Sequence, residues 1–292
     1  MTETTRAILL MTVGMAGFAI GDAMLKLLTT SLPRSWLLLI MGSSGAAVFG
    51  ILALASKVPL WSKGFWHPAV ILRNLSEVTV AVTMVTTFAL VDLTLVAAVI
   101  QVVPLLVTAG AAIIFGETVG WRRWMAVAIG FVGVVIILRP GLGAITPAAS
   151  LALLGAVGLA ARDLATRGAP ASVHSLQLAT WAFATIIPFG AVLSLGTPLP
   201  SLAHPVPVAI AVLLISGCGG YLAVTVAMRL GEIATVAPFR YLRLPFAMVL
   251  AALIFGERPD LATLIGSAII VGSGLYAFHR ERQTTQRKAS AP

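Results

Sequence analysis

The stretch Val96–Glu117, VAAVIQVVPLLVTAGAAIIFGE, returns 140 positions later as Val236–Glu257, VAPFRYLRLPFAMVLAALIFGE. Eight of the 22 positions are identical, and the closing Ile-Phe-Gly-Glu matches without a gap. A second echo lies upstream: Gly14, Gly17, Ala19, Asp22 and Lys26 return as Gly155, Gly158, Ala160, Asp163 and Arg167, each 141 positions on. Two echoes at nearly one spacing, both carrying glycine and charge, mark a duplicated unit of about 140 residues. The fold must therefore place two near copies of one unit against each other.

The length of 292 residues suggests two soluble domains, but composition excludes them. Hydrophobic residues make up 59%, charged residues only 10%, and the mean hydropathy is +1.02. Too few charges remain to cover a soluble surface, so the chain reads as a polytopic membrane protein. No cleavable signal is expected, because the apolar run from Ala7 starts almost at once and is long enough to span a bilayer. The lone Cys218 has no internal disulfide partner and is expected to pack as a small apolar side chain.

Charge, Pro and Gly bound ten apolar spans, at about 7–29, 35–55, 69–90, 94–115, 121–138, 148–167, 174–195, 207–228, 234–255 and 260–278. The predicted class is all-α, with repeats over 7–138 and 148–278 and a polar, frayed tail over 279–292. If the N-terminus is cytoplasmic, inner segments hold 12 basic residues and outer ones 3 (Arg34, Arg139 and Arg258). Both termini are then cytoplasmic, and the net charge of +9 belongs to inner loops rather than to a nucleic-acid surface. Five spans per repeat is an odd number, so the second copy enters from the opposite side. Inverted repeats of this kind put a transported solute near the midplane between the halves and let the molecule open to either face. Glycines at helical spacing are expected to bring helix backbones close, and the dense Ser216-Gly217-Cys218-Gly219-Gly220 to line a wide cavity or let its helix bend.

Ten spans, the five-plus-five duplication, Phe-Gly-Glu closing the fourth and ninth spans, and the N-terminal pattern Gly14-x-x-Gly17-x-Ala19-x-x-Asp22 resemble the drug/metabolite transporter superfamily, EamA-type branch. The resemblance covers essentially the whole chain. It implies a multi-pass exporter of amino acids or related small metabolites in the bacterial inner membrane. Within the branch the chain looks most like the YddG-type aromatic amino acid exporters.

Ionisable and polar groups inside spans are costly and are the candidate site. At 1.5 Å rise per residue, Asn74 and Glu77 lie roughly 8 and 12 Å in from the cytoplasmic end, and Arg240 and Arg243 roughly 9 and 14 Å in. Glu77 is therefore expected to pair with Arg240 or Arg243, leaving one guanidinium, beside Tyr241, for a substrate carboxylate. The plainer alternative is that both Arg side chains snorkel to the interface or pair structurally. Asp22 with Lys26, and Asp163 with Arg167, sit four apart and are expected to form local ion pairs that stitch or gate. Glu117 and Glu257 are expected to cap the helix that follows each. Gln101 and Tyr241 are equivalent positions in the two copies, and Pro104 and Pro245 fall one position out of register. Matching kinks there predict that the fourth and ninth spans line the pathway. Trp181, Phe183, Tyr221, Phe239 and Phe246 are candidate apolar walls, and Trp36, Trp61, Trp66, Trp121 and Trp124 read as interfacial anchors.

No GxxxxGK loop for ATP, no Cys/His cluster for a metal and no nucleophile–base set stands out, so no cofactor is expected and an enzyme is disfavoured. The expected partners are a small-molecule substrate and the lipid bilayer, with no nucleic acid, and the protein is expected to be a monomer. The leading function is export of amino acids, aromatic and other apolar ones first, by alternating access. The alternatives are a broad exporter of drugs or lipophilic cations and, from another class, a membrane-embedded transferase. Glu77 neutralised by Arg would not cycle protons near neutral pH, which favours facilitated transport.

Overall fold

In the computed structural model of the chain, the described residues are 2–116, 120–138, 147–201, 203, 205–230 and 236–289. Helices α1 (Glu3–Ser31), α2 (Arg34–Ala55) and α3 (Pro68–Leu90) make the first three crossings. The fourth is split into α4 (Leu93–Ile100) and α5 (Val103–Ile114), and α6 (Trp121–Leu138) is the fifth. The second half has α7 (Pro147–Arg167), α8 (Ser175–Ser194) and α9 (Val206–Leu230). Its fourth crossing joins a 3-10 segment, Ala237–Leu242, to α10 (Arg243–Phe255), and α11 (Leu261–Ala289) completes the chain. Among the described residues there is no strand, and nine helical stretches are long and apolar enough to cross a membrane. The remaining rod, α7, has 21 residues and carries Arg162, Asp163 and Arg167 on its last turns.

The helix ends follow from local chemistry. Thr2 accepts the Thr5 N–H at the start of α1. His67 and His174 do the same work for α3 and α8, their Nδ1 atoms accepting from Ala69 and Leu176 at 3.3 and 3.2 Å. Two of the scattered histidines are therefore helix caps. The repeated Phe-Gly-Glu is a helix stop: Gly116 and Gly256 both adopt φ of 65°, which a residue with a side chain resists. After Gly256, the Glu257 N–H returns to the Ala251 carbonyl at 3.1 Å and closes the turn. The last helix differs from expectation: the backbone stays helical to Ala289, past the predicted end at 278.

The fourth and ninth crossings are broken, not merely bent. Gln101 and Val102 donate to Ala98 and Val99, three residues back, so the helix tightens and stops before Pro104. In the ninth crossing Pro238 opens the 3-10 segment, and Pro245 sits in the first turn of α10, where a missing N–H costs little.

Packing shows the duplication. The main partner of α1 is α9, and that of its counterpart α7 is α3, while α2 pairs with α8, α6 with α11 and α4 with α10. The glycine echo explains the first two pairings. Gly14 and Gly17 lie against Gly220 and the Ser216 carbonyl of α9, and Gly155 and Gly158 lie against Met84, Thr83 and Val80 of α3. Gly42 and Gly45 seat Phe183 and its neighbours, and Gly133 meets the Gly266 carbonyl. Outward faces carry exposed Ile51, Ile113, Ile215 and Leu253, an apolar perimeter suited to lipid.

Candidate substrate cavity

Five elements bring seven charged side chains to one cavity between the halves. Asp22 comes from α1, Arg73 and Glu77 from α3, Arg162 and Asp163 from α7, Arg240 from the 3-10 segment and Arg243 from the start of α10. The space has two lobes, about 290 and 310 Å³, which share Phe18, Met41, Glu77, Arg162, Asp163 and Phe183 in their walls. The first lobe adds Gln101, Pro104, Arg240, Tyr241 and Arg243, together with Met15 and Met84. The second adds Phe49, Arg73, Gly217, Cys218 and Tyr221. Phe49 stacks on Phe183 (centroids 5.6 Å apart) and meets Tyr221 edge-on at 5.2 Å, so this lobe has an aromatic side.

The ion pairs differ from those the spacing suggested. Glu77 does not pair with Arg240 or Arg243: it lies 3.7 Å from Arg162 and 4.0 Å from Arg73. Arg73, one helical turn before Glu77, also donates to Thr166 Oγ1 and to the Leu178 carbonyl. Arg243 forms a two-pronged bond with Asp22, Nε and Nη2 donating at 2.9 and 2.8 Å, and lies over Phe18. Asp22 therefore bonds to the opposite half, not to Lys26. Asp163 likewise leaves Arg167: its Oδ1 accepts from Arg162 at 2.9 Å, and its Oδ2 lies 3.7 Å from Arg240. For Asp22 the reason is that a local i, i+4 pair at a helix surface is weak, whereas a charge facing a low-dielectric interior is drawn to a counter-charge across the cavity. Glu77 and Asp163 instead find arginines close in sequence, Arg73 one turn before Glu77 and Arg162 next to Asp163, and Arg162 joins the two carboxylates across α3 and α7. Arg162 and Arg73 are the site residues that sequence reasoning missed. Their signal was adjacency to Asp163 and one-turn spacing from Glu77.

The equivalent positions Gln101 and Tyr241 meet directly. The Gln101 amide donates to the Tyr241 carbonyl at 2.9 Å, satisfying a backbone group that the 3-10 segment would otherwise leave open. Tyr241 itself is buried, with its hydroxyl against Gly274. Asn74 is buried but belongs to neither lobe. Phe239 packs outside both, on the apolar cluster of Met11, Met15 and Ala227, and Phe246 packs there too. Trp181 instead joins Trp61 and Phe65 and donates to the Leu60 carbonyl.

The family comparison covers both halves. The EamA-like transporter family matches residues 5–139 and again residues 146–278. The chain belongs to the EamA-like transporter family. Each half of this EamA-like protein thus carries one copy of the family unit. Among its relatives, the S-adenosylmethionine uptake transporter of Rickettsia bellii is 26% identical over 193 residues, 64% of each chain. The riboflavin transporter of Rhizobium johnstonii is 29% identical over 195 residues, 66% of this chain and 64% of its own. The riboflavin transporter of Vibrio cholerae is 27% identical over 195 residues, 63% and 62% of the two chains. The matched region thus spans just under two thirds of these relatives' length. A crystal structure with 19% identity superposes at a TM-score of 0.63 over 96% of this chain and 99% of that one, a likeness of fold. The relatives are named for S-adenosylmethionine and riboflavin, not for aromatic amino acids.

One further cluster belongs to the duplication. Glu257 accepts from the backbone N–H groups of Leu93 and Thr94 at 2.8 and 3.0 Å and from the Thr94 hydroxyl. It therefore caps α4, across the molecule, and not the helix that follows it, which Asp260 caps through Thr263. Lys26 completes the cluster, 3.3 Å from Glu257, donating to the Val91 carbonyl and lying over the Phe255 ring. Arg167, the counterpart of Lys26, lies over Phe115, the counterpart of Phe255. Glu117, the counterpart of Glu257, is outside the described residues.

Proposed function

We propose that the chain is a multi-pass carrier in a bacterial inner membrane. It moves a small organic solute, with an ionised head and an apolar or aromatic body, between its two halves by alternating access. The observation that carries this reading is the coexistence, in one cavity, of four guanidinium groups and three carboxylates with Phe18, Phe49, Phe183 and Tyr221. Charged groups supply orientation and aromatic walls supply burial, the usual division of labour in a small-molecule site. Amino acids with apolar or aromatic side chains match both parts. S-adenosylmethionine, for which one relative is named, ends in the same amino-carboxylate and carries a fused ring, and riboflavin carries a fused ring. Export is the direction that the family resemblance implies. The relatives named for S-adenosylmethionine are uptake proteins, and two similar halves let the gradient set the direction. The lipophilic-cation alternative meets an electrostatic objection: a cation without a carboxylate offers no partner to the four arginines, which outnumber the three carboxylates of the cavity.

The test is counterflow in proteoliposomes with labelled tryptophan, phenylalanine, S-adenosylmethionine, riboflavin and tetraphenylphosphonium, each with and without a pH gradient. Saturable counterflow of at least one of the first three, independent of the gradient, is expected. Movement of riboflavin or tetraphenylphosphonium alone, or of nothing, overturns the reading.

A further inference from the structure

The two repeat-related aspartates are built differently. Asp22 and Arg243 form a closed, two-pronged pair at 2.7–2.9 Å, with side chains 12% and 20% exposed. Asp163 and Arg240 touch through a single 3.7 Å contact, with side chains 25% and 39% exposed. Both arginines come from one joint, the end of the 3-10 segment and the first residue of α10, and they reach carboxylates on opposite halves. Position in the repeat therefore does not explain the difference.

The local bonding of Asp163 does. Arg162 donates to Oδ1 through Nε at 3.1 Å and Nη2 at 2.9 Å, which anchors that oxygen. Among the described residues, Oδ2 has the long contact to Arg240 and no hydrogen bond, and Asp163 borders the cavity. A carboxylate so held keeps a counter-charge when Arg240 leaves, so opening this pair does not strand a buried anion. Arg240 in turn keeps the neighbourhood of a cavity that is one charge positive. At 3.7 Å the pair is an attraction without a good hydrogen bond on either side.

We infer that Asp163 and Arg240 form an exchangeable pair that an α-amino-carboxylate solute enters and replaces. The ammonium bonds to Asp163 Oδ2, and the carboxylate takes the Arg240 guanidinium as a two-pronged partner. One long ion pair is exchanged for two charge-assisted bonds, each stronger than a neutral one. Asp163, Phe18 and Phe183 border both lobes, so a head bound there sends its side chain toward Phe49 and Tyr221. Asp22–Arg243 is the closed counterpart that holds the joint while the other pair opens. This assignment rests on the carrier reading above and narrows its substrates to zwitterions with adjacent charges.

The test is equilibrium binding to the purified full-length protein of three probes that share a ring: tryptophan, tryptophan amide and indole-3-propionate. They carry both charges, the ammonium alone and the carboxylate alone. Arg240→Gln should weaken tryptophan and indole-3-propionate about tenfold or more and leave the amide within about threefold. Asp163→Asn should weaken tryptophan and the amide by a similar factor and spare indole-3-propionate. Because Asp163→Asn also removes the partner of Arg162, Asp163→Glu is run beside it and should restore part of the tryptophan affinity. A thermal melt of each variant checks folding. Equal losses for all three probes in either folded variant overturn the inference, as does any variant unfolded in both Asn and Glu forms. If the native protein binds indole-3-propionate but no zwitterion, the inference falls while the carrier reading stands. If it binds none of the solutes, both fall.

Discussion

At the scale of single residues, Glu257 shows what a carboxylate gains at a helix start. Burial alone would raise its pKa, but hydrogen bonds from Thr94 and Leu93 and the Lys26 ammonium outweigh that and hold it below the ordinary 4.5. A depressed folded value means that the unfolded chain binds the proton more readily. The stabilisation is therefore complete above pH 4.5 and is lost as pH falls through the lower folded value. Glu257→Gln keeps one acceptor but loses the charge, and should lower stability by about 1–2 kcal/mol at neutral pH. Melting curves in detergent from neutral pH into the acid range check this: the native protein should approach the variant below pH 4.5, and parallel curves would refute it. That Glu257 caps a helix was legible in the sequence. Which helix was not, because the left-handed Gly256 turns the chain back so that the carboxylate faces α4. Asp22 and Lys26 misled for a related reason: their spacing of four describes one helix face, but each is claimed by a different segment of the other half.

At the scale of elements, small residues decide which helices touch. A methyl group on Gly190 would come within 2.6 Å of the Leu39 backbone nitrogen and 2.8 Å of its Cα, atoms that no rotamer change can move aside. A methyl on Gly272 would meet nothing within 4 Å. Gly190→Ala should therefore push α2 and α8 apart and cost about 1–3 kcal/mol, while Gly272→Ala should be neutral or slightly stabilising through helix propensity. Melting temperatures of the two variants, measured together, decide it; equal behaviour would show that the close approach does not matter. The rods themselves were legible because charge, proline and glycine punctuate long apolar runs. The split of the fourth crossing was signalled by Pro104, but the depth of the break was not, since proline says where a bond is lost and not how neighbours replace it. The Gln101 amide supplies the replacement, and it is visible only once the two copies are face to face.

At the scale of the molecule, the duplication predicted two copies and the odd number of spans predicted their inversion. Partner choice was beyond reach, because helix association in lipid rests on close packing and hydropathy does not rank neighbours. The orientation inferred from basic residues leads to a measurement. A reporter fused after Ala289 should score as cytoplasmic, and one inserted near Gly196 as periplasmic; the same side for both would exclude the inverted arrangement. The pairing pattern also bears on how such a chain is made. The ribosome delivers α1 first, yet its main partner α9 emerges only after most of the chain has been synthesised. The same delay faces α2, which awaits α8, and α6, which awaits α11. Until those helices arrive, Gly14, Gly17, Gly42, Gly45 and Gly133 lack the neighbours they meet in the finished fold. The nascent first half is an unfinished seam, whose closure depends on the last helices to leave the ribosome.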